Sequence, residues 1–313
     1  FDDASTDNSI EIIKEYSKRN PVVKLVENSK NHGANMANKI AMELGSGEYL
    51  YQAAADDPVL PGFFEKSLEL LSQYPEAGLC HSKILEIDVK GNLLRECAPG
   101  FFHNYKEYGY TSPEKIVKDL FFSLEFSIYG NSAIIRRDCL DGVDIYNPEL
   151  DLYPDDFMLM VIALKYGVCY VPEPLGCFRR WQGSMSIKMR ELITRKVKAI
   201  QWYADLMISR EYMDIFPCNL PEKWKKHQMY IFALEILERN KDNHEDFLEN
   251  FKKLKMNETL LDKIFFKTVS FNPFILKLYI VYCFFNWNLI AKKIKLIFRR
   301  MAGKNCLMKS SAE

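Results

Sequence analysis

The chain has 313 residues, enough for one large or two modest domains with a substantial hydrophobic core. It is 48% hydrophobic and 27% charged, which is too apolar for an intrinsically disordered protein. Basic and acidic side chains each number 42, so the net charge is zero and we expect no nucleic-acid partner. The eight cysteines form no CxxC pair, as is typical of reduced thiols in a cytosolic protein.

The charge is unevenly distributed along the chain. The segment from Lys263 to Ala312 contains ten basic residues and no acid, so the remaining residues hold 32 basic and 42 acidic side chains. An acidic body with a basic tail indicates metal or nucleotide chemistry in the body and an anionic surface in contact with the tail.

The first 90 residues alternate between helical and strand patterns. Their hydrophobic spacing predicts six elements: helices over 9–19, 34–44 and 61–73, and strands over 22–26, 48–53 and 79–88. This alternation favours an α/β sheet covered by helices. The chain opens with FDDASTDNS, already inside a motif, and we expect a preceding strand and helix to be missing.

The middle of the chain is less regular and the last part is helical. The predicted elements are helices over 113–123, 155–166, 187–210, 222–239 and 244–254, with strands over 132–135 and 168–171. Because amphipathic helices take over after residue 186, we predict two domains, 1–186 and 187–313.

Pairs of aspartates follow the predicted strands. Asp2–Asp3 and Asp56–Asp57 both come after apparent strands, so we expect them at the sheet edge where α/β proteins bind ligands. Neighbouring carboxylates repel one another unless a cation or donor groups compensate. Mg²⁺ or Mn²⁺ with a nucleoside diphosphate would provide that compensation, because these ions take oxygen ligands. Solvated turn residues are the alternative for any single pair.

Five blocks of sequence together resemble the family 2 glycosyltransferases: DDASTDNS at 2–9, NHGANMAN at 31–38, AADDPVLPGFFEK at 54–66, GNSAIIRR at 130–137 and PDDF at 154–157. The resemblance runs from residue 1 to about 186. It implies the GT-A fold, a Rossmann-like mixed sheet that binds nucleotide sugars between flanking helices. An α-helical C-terminal region would follow this domain.

The resemblance implies donor-binding roles near the start of the chain. Asp2 and Asp3 match an aspartate pair of which one member hydrogen-bonds the donor's base, and a carboxylate suits the imide N–H of uracil because it only accepts. Asn31 and Gly33 match the loop that runs past the nucleotide, where glycine would allow close backbone approach. An ordinary turn is the alternative for Gly33.

Two further acidic motifs match the family's metal and base positions. Asp56 would contact the ribose and Asp57 the metal, although Ala54 replaces the first acid of the usual motif. Asp156 would be the general base that takes the acceptor hydroxyl's proton, with Asp155 as a supporting acid. The alternative for this second pair is an acidic helix start that complements the helix dipole, and the two roles are compatible.

Arginines and aromatic residues complete the predicted site. Arg179 and Arg180 match a position that contacts the diphosphate, and either would bind phosphate as a fork; a surface arginine pair is the alternative. Cys177 replaces the Gln of the QxxRW motif, which argues against a processive synthase. An aromatic run would line an acceptor sugar site, with core packing or a mobile loop as the alternatives: Phe101, Phe102, Tyr105, Tyr108 and Tyr110.

The tail predicts contact with a membrane surface. Residues 274–290 are apolar but short for a spanning helix, and residues 289–300 alternate apolar and basic positions. We therefore expect residues 274–304 to contact an anionic membrane at its cytoplasmic face. A docked helix with solvated lysines is the alternative.

The resemblance implies an inverting glycosyltransferase, which would move a sugar from a nucleoside diphosphate sugar, UDP-sugar first, to a hydroxyl of a glycan or lipid-linked acceptor in surface polysaccharide synthesis. Two alternatives remain. A sugar nucleotidyltransferase would need a glycine-rich basic loop before the present start, and it fits Asp155–Asp156 poorly. A degenerate, non-catalytic GT-A domain would bind glycan or a partner; Asp57 and Asp156 argue against it.

Overall fold

The computed structural model describes residues 1–98, 100–144, 147, 150, 153–181, 193–240, 243–254 and 273–284. These residues divide into two compact units. The first unit takes the described residues within Phe1–Glu191 and Asp205–Cys218, and the second takes those within Leu192–Ala204 and Asn219–Glu313. The predicted boundary near residue 186 stays a prediction about separate domains.

A six-stranded mixed sheet lies in the first unit. Its strands are β1 (Tyr49–Tyr51), β2 (Leu79–Ile87), β3 (Leu93–Cys97), β4 (Gly109–Thr111), β5 (Ala133–Arg136) and β6 (Val168–Arg179). The order across the sheet is β1-β5-β2-β6-β4, and β3 pairs with the end of β2. β2 and β6 run parallel, while the other described pairings are antiparallel. The carboxyl ends of β2 and β6 therefore lie together.

The described part of the first unit also contains five α-helices that begin and end within it. They are α1 (Ser9–Arg19), α2 (Ala34–Glu43), α3 (Phe63–Gln73), α4 (Pro113–Ser123) and α5 (Pro154–Tyr166). All five predictions are confirmed to within two residues at each end. At the start of α4, Ser112 accepts a hydrogen bond from the Lys115 N–H and Pro113 takes the first position, a combination that favours a helix start.

The helix α5 is buried along most of its length and packs within the core. Every residue from Phe157 to Leu164 is buried, so this helix has no polar face. On α3, Phe63 and Leu71 are fully buried and pack with Cys80 of β2 and Cys169 of β6. Burial of each such apolar side chain contributes about 1.5–3 kcal/mol to stability.

The strands differ from the prediction at four places, one of which is the unpredicted three-residue β4. Residues 22–26 form no strand, because this run finds no partner strand and Val22 is 89% exposed; the adjacent Glu27 makes only an isolated bridge with Asp2. β3 was not predicted, because its apolar and polar residues do not alternate along the sequence. In the structure both Leu93 and Leu94 are exposed. β6 runs eight residues beyond the predicted end at residue 171, since its register shifts accommodate the two prolines within it.

The second unit is helical throughout its described residues. Its helices are α6 (Ile193–Met207), whose last turn belongs to the first unit, then α7 (Leu220–Arg239), α8 (His244–Leu254) and α9 (Pro273–Phe284). Within it, Tyr203 stacks on Trp224 with ring centroids 4.3 Å apart. None of the helices in the described ranges combines the length and apolarity that crossing a bilayer needs. The basic segment 289–300 lies outside the described residues, and membrane contact through 274–304 stays a prediction.

Candidate active site

The carboxylate of Asp3 holds the loop before α2. It accepts hydrogen bonds from Asn28 Nδ2 at 2.9 Å, from the His32 N–H at 2.9 Å and from the Gly33 N–H at 2.8 Å. Partial burial opposes ionisation, but these donors outweigh it and hold the pKa of Asp3 below its ordinary value. The protein itself therefore compensates the charge of Asp3.

Asp2 is tied down in a similar way. Its carboxylate accepts from the N–H and the hydroxyl of Ser5 at 2.8 and 2.6 Å, and these hydrogen bonds lower the pKa of Asp2. Its N–H donates to the Val26 carbonyl, and its own carbonyl accepts from the Asn28 N–H. The structure thus brings the first aspartate pair and the 28–33 loop together, as a shared role in one site requires.

Gly33 is required for its backbone conformation. Its φ of 87° and ψ of 158° lie in a region that is almost exclusive to glycine. Asn31 stabilises this turn, since its Oδ1 accepts from the Gly33 N–H at 3.0 Å. A Cβ built on Gly33 would meet nothing within 4 Å, so open space adjoins the loop at this point.

The second aspartate pair follows β1 and has a different environment. Asp57 Oδ1 accepts from the Arg179 N–H at 2.7 Å, and Oδ2 accepts from Asn131 Nδ2 at 3.0 Å. Burial raises the pKa of Asp57, and the charge of the exposed Asp56 adds to that effect against these two donors. The protein therefore compensates the charge of Asp57 only in part.

Asn131 connects the elements that meet at this point. It lies in the short 3₁₀ turn Gly130–Ser132 and is 8% exposed. Besides Asp57, its Nδ2 donates to the Cys177 carbonyl, and its own carbonyl accepts from the Tyr51 hydroxyl at 3.1 Å. Sequence reasoning did not select Asn131, although it belongs to the GNSAIIRR block that supported the family resemblance.

The acidic start of α5 also adjoins this turn. A Cβ built on Gly130 would be 3.7 Å from Asp155 Oδ2. Burial raises the pKa of Asp155, while the N–H groups at the start of α5 oppose that shift. Asp156 follows in the first turn of the helix and is half-buried. Asp57 and Asp155 therefore both adjoin this turn, which brings the predicted metal site and the predicted base motif into one region.

The side chain of Arg179 binds backbone carbonyls. Its Nε donates to the Asp56 carbonyl at 2.9 Å, and its Nη1 donates to the carbonyls of Asp88 at 2.9 Å and Val89 at 3.2 Å. These bonds hold the Asp56–Asp57 loop against the turn between β2 and β3. The predicted contact of Arg179 with phosphate stays a prediction.

Arg180 belongs to a separate ion-pair network. Its Nη2 lies 2.5 Å from Glu86 Oε1, while Arg95 donates to the same carboxylate from Nε and Nη2 at 2.8 Å. These donors outweigh burial and lower the pKa of Glu86 to about 2. The Arg180 guanidinium also lies 4.7 Å from the Phe178 ring centre. Binding a diphosphate through Arg180 would require this network to rearrange.

The donor set at Asp57 fits a divalent cation that also binds a ligand. Within the described ranges no three metal-ligating side chains form a cluster. Mg²⁺ commonly uses one or two carboxylates and takes its other ligands from phosphates and water. Burial raises the pKa of Asp57, which means that its ionised carboxylate is destabilised and would be stabilised by a bound cation. Asp57, with Asp56 next to it, therefore suits a cation that arrives with a diphosphate.

Comparison with known proteins identifies the fold of the first unit and a family that its sequence resembles. The fold resembles the crystal structure of S. aureus TarS 1–349 in complex with UDP-GlcNAc, with a TM-score of 0.54 and 14% identity over 80% of this chain and 69% of that one. The similarity establishes the GT-A fold. Residues 1–142 match the model of glycosyl transferase family 2. The matched segment, somewhat less than half of the chain, lies within the first unit.

Two of the curated relatives that this chain resembles are named as glycosyltransferases. An uncharacterized glycosyltransferase of Methanocaldococcus jannaschii, MJ1057, is 27% identical over 180 residues, which cover 57% of this chain and 58% of the relative. An uncharacterized glycosyltransferase of Escherichia coli, YibD, is 41% identical over 65 residues, which cover 21% of this chain and 19% of the relative. The chain thus spans less than two thirds of the length of these relatives.

Proposed function

We propose that the protein transfers a sugar from a UDP-sugar to a hydroxyl of a glycan or lipid-linked glycan, with inversion at the anomeric carbon. The carrying observation is that Asp57 and the Asp155–Asp156 pair both adjoin one turn, Gly130–Ser132. A transferase needs its diphosphate site and its base on either side of the reacting carbon. The shared turn supports that arrangement.

The donor side of the site would be organised by Asp57. Asp57, assisted by Asp56, would hold Mg²⁺ or Mn²⁺, and the cation when bound neutralises charge on the leaving diphosphate. The Arg179 N–H and the Asn131 amide hold the Asp57 carboxylate in place. The nucleoside would be contacted by Asp2, Asp3 and the 31–33 loop. Glycosyltransferases of this fold use nucleotide sugars, and the UDP-GlcNAc in the TarS structure makes UDP the first donor to test.

The acceptor side would be organised by Asp156. Its carboxylate would accept the proton of the acceptor hydroxyl as that oxygen attacks the anomeric carbon and the nucleoside diphosphate leaves. The start of α5 favours the ionised carboxylate, because helix N-termini stabilise negative charge. A single displacement of this kind inverts the carbon and needs one base. The basic, acid-free segment Lys263–Ala312 supports an acceptor presented at an anionic membrane surface, within surface polysaccharide synthesis.

The test combines binding and turnover in the full-length protein. Calorimetric titration with UDP, dTDP and GDP, each with and without Mn²⁺, identifies the donor class, and donor turnover is then measured for wild type and Asp156→Asn. We expect Asp156→Asn to retain nucleotide affinity and to lose about 10²–10⁴-fold in rate, the usual contribution of a general base.

Asp141→Asn is the matched control. Asp141 is an exposed aspartate at the end of the 3₁₀ turn Arg137–Leu140, and its replacement should leave both measurements unchanged. Wild-type protein that binds none of the three nucleotides would refute the proposed activity. Equal loss of nucleotide affinity and rate in Asp156→Asn would instead refute its assignment as the base.

A further inference from the structure

A cavity of the first unit lies against β4 and α4. Its volume is about 830 Å³, within the range of small-molecule sites. Aromatic rings form much of its lining, and we call it the aromatic groove: Tyr105, Tyr108, Tyr110, Phe122 and Tyr170. Most of these rings come from the aromatic segment between residues 98 and 130.

The aromatic groove is separate from the candidate active site. On β6, Tyr170 pairs with His81 of β2, and Arg179, whose N–H binds Asp57, pairs with Ile87. The two partners lie six positions apart on β2, which corresponds to about 20 Å along the strand. A ligand in the groove would therefore leave the Asp57 site open to the donor.

Two walls of the groove are held rigidly. The Tyr105 hydroxyl donates to Asp119 Oδ2, and Lys115 binds the same carboxylate at 2.7 Å while its ammonium lies 4.6 Å from the Tyr105 ring centre. Tyr110 is fixed in a different way. Its hydroxyl donates to the Tyr166 carbonyl at 3.0 Å, and its ring stacks on another tyrosine, Tyr74, with centroids 5.7 Å apart. Rings positioned before a ligand arrives lose little conformational freedom on binding.

Other lining groups remain available to a ligand. Tyr108 is 49% exposed and Phe122 is 73% exposed, so both present ring surface to solvent. Tyr170 is almost completely buried, and its hydroxyl has no hydrogen-bond partner among the described residues. A hydrogen-bonding molecule that reached this hydroxyl would supply that partner.

The charges of the lining favour a neutral ligand. Lys106 and Lys115 are balanced by Glu107 and Asp119, so the charged residues of the lining sum to zero. Lys115 is already paired with Asp119, and Lys106 donates to the His103 carbonyl. A nucleotide or a phosphate polymer would call for an excess of cations. A molecule with flat apolar faces and many hydroxyls matches both the rings and the polar groups.

We propose that the aromatic groove binds a neutral oligosaccharide. This proposal rests on the proposed function. The oligosaccharide would be the part of the acceptor chain that is remote from the reacting hydroxyl. Binding energy from a remote part of a substrate helps to hold and orient its reacting end. Acceptors long enough to occupy both places would then have a lower KM than short acceptors of the same sugar.

The experiment compares the full-length wild type with Tyr108→Ala/Phe122→Ala. The probe is a printed array of neutral and anionic oligosaccharides, followed by titration of the best neutral ligand in solution. We expect the double variant to lose at least about tenfold in affinity for that ligand, because two stacking surfaces are removed. Tyr16→Ala, which removes an exposed tyrosine on α1 outside the groove, should bind as the wild type does. Tyr108→Phe/Phe122→Tyr, which keeps both rings, should restore binding.

Nucleotide binding with Mn²⁺, measured on the same samples, separates this proposal from the proposed function. Unchanged nucleotide affinity in the double variant also shows that it is folded. Wild type that binds no neutral oligosaccharide, that binds only anionic ones, or that binds neutral ones equally well without the two rings overturns the groove proposal. Binding of a neutral oligosaccharide that depends on the rings, in protein that binds no nucleotide, supports the groove and refutes the transferase activity.

Discussion

Two aspartates of the first unit, Asp3 and Asp57, each belong to an Asp-Asp pair but have opposite electrostatic states. Asp3 accepts from an amide and two backbone N–H groups, and its pKa is lowered. Asp57 accepts from two donors in a more buried position beside Asp56, and its pKa is raised. The first carboxylate is compensated by the protein, whereas the second keeps a charge that only a ligand or a proton can neutralise.

This difference separates two uses of the same residue type. A carboxylate surrounded by N–H donors stabilises a loop, and its ionisation contributes to folding. A carboxylate whose burial outweighs its donors destabilises the fold when ionised and gains most when a cation binds. Asp3 would therefore act on the donor through the shape of the 28–33 loop, while Asp57 would act on it directly. The predictions below test this contrast.

The largest expected effect is on metal-dependent binding. Asp57→Asn should lower the affinity for UDP with Mn²⁺ by about 10–100-fold, because a contact between a charged group and its partner is worth about 1.5–3 kcal/mol. Calorimetry with and without Mn²⁺ measures this loss, and affinity without the metal should change much less. Asp138→Asn, a change in the 3₁₀ turn Arg137–Leu140, serves as a control. Equal losses with and without Mn²⁺ would remove Asp57 from the metal site.

A smaller effect is expected on stability, in the reverse order. Asp3→Asn should lower the free energy of unfolding by about 1–3 kcal/mol, since an amide cannot accept from all the donors that face Asp3. Asp57→Asn should cost less, because removing its charge also removes a destabilising term. Urea denaturation of both variants makes the comparison. A greater loss for Asp57→Asn would mean that both carboxylates serve mainly to hold loops.

The smallest effect is a difference in pH dependence. The folded pKa of Asp3 lies below 3.8, so its contribution to stability is present above that pH and is lost as the pH falls through the folded value. The folded pKa of Asp57 lies above 3.8, so its ionisation weakens folding as the pH rises from 3.8 through the folded value. Mn²⁺-dependent binding should accordingly fall in acid at a higher pH than an ordinary aspartate would give.

The variants provide the controls for this titration. In Asp57→Asn, the loss of binding in acid that is caused by Asp57 should be absent. The loss that is caused by titration of the nucleotide itself should remain. Asp3→Asn should reduce the acid dependence of stability without moving the midpoint for binding. A binding midpoint unchanged by Asp57→Asn would show that the carboxylate is not the titrating group.

Local patterns predicted the helices well and the strands less well. The helices α1 to α5 carry their own signals, such as the Ser112 cap before α4 and apolar residues at helical spacing. The run at residues 22–26 carries a strand signal but lacks a partner, and β3 has a partner but lacks an apolar face. Strand formation depends on pairing with distant residues, which a short window of sequence does not contain.

Short sequence patterns were enough to indicate the fold class and to select the residues of the candidate site. Five short blocks in a fixed order indicated the GT-A fold and selected Asp57 and Asp156. The contacts of each side chain followed only from the fold: Asp3 is enclosed by donors, Asn131 holds Asp57, and Arg179 binds three carbonyls. The physical reason is that pKa and hydrogen bonding depend on burial and on neighbours far apart in the chain. Asp57 and Arg179, 122 positions apart, meet only once the sheet has formed.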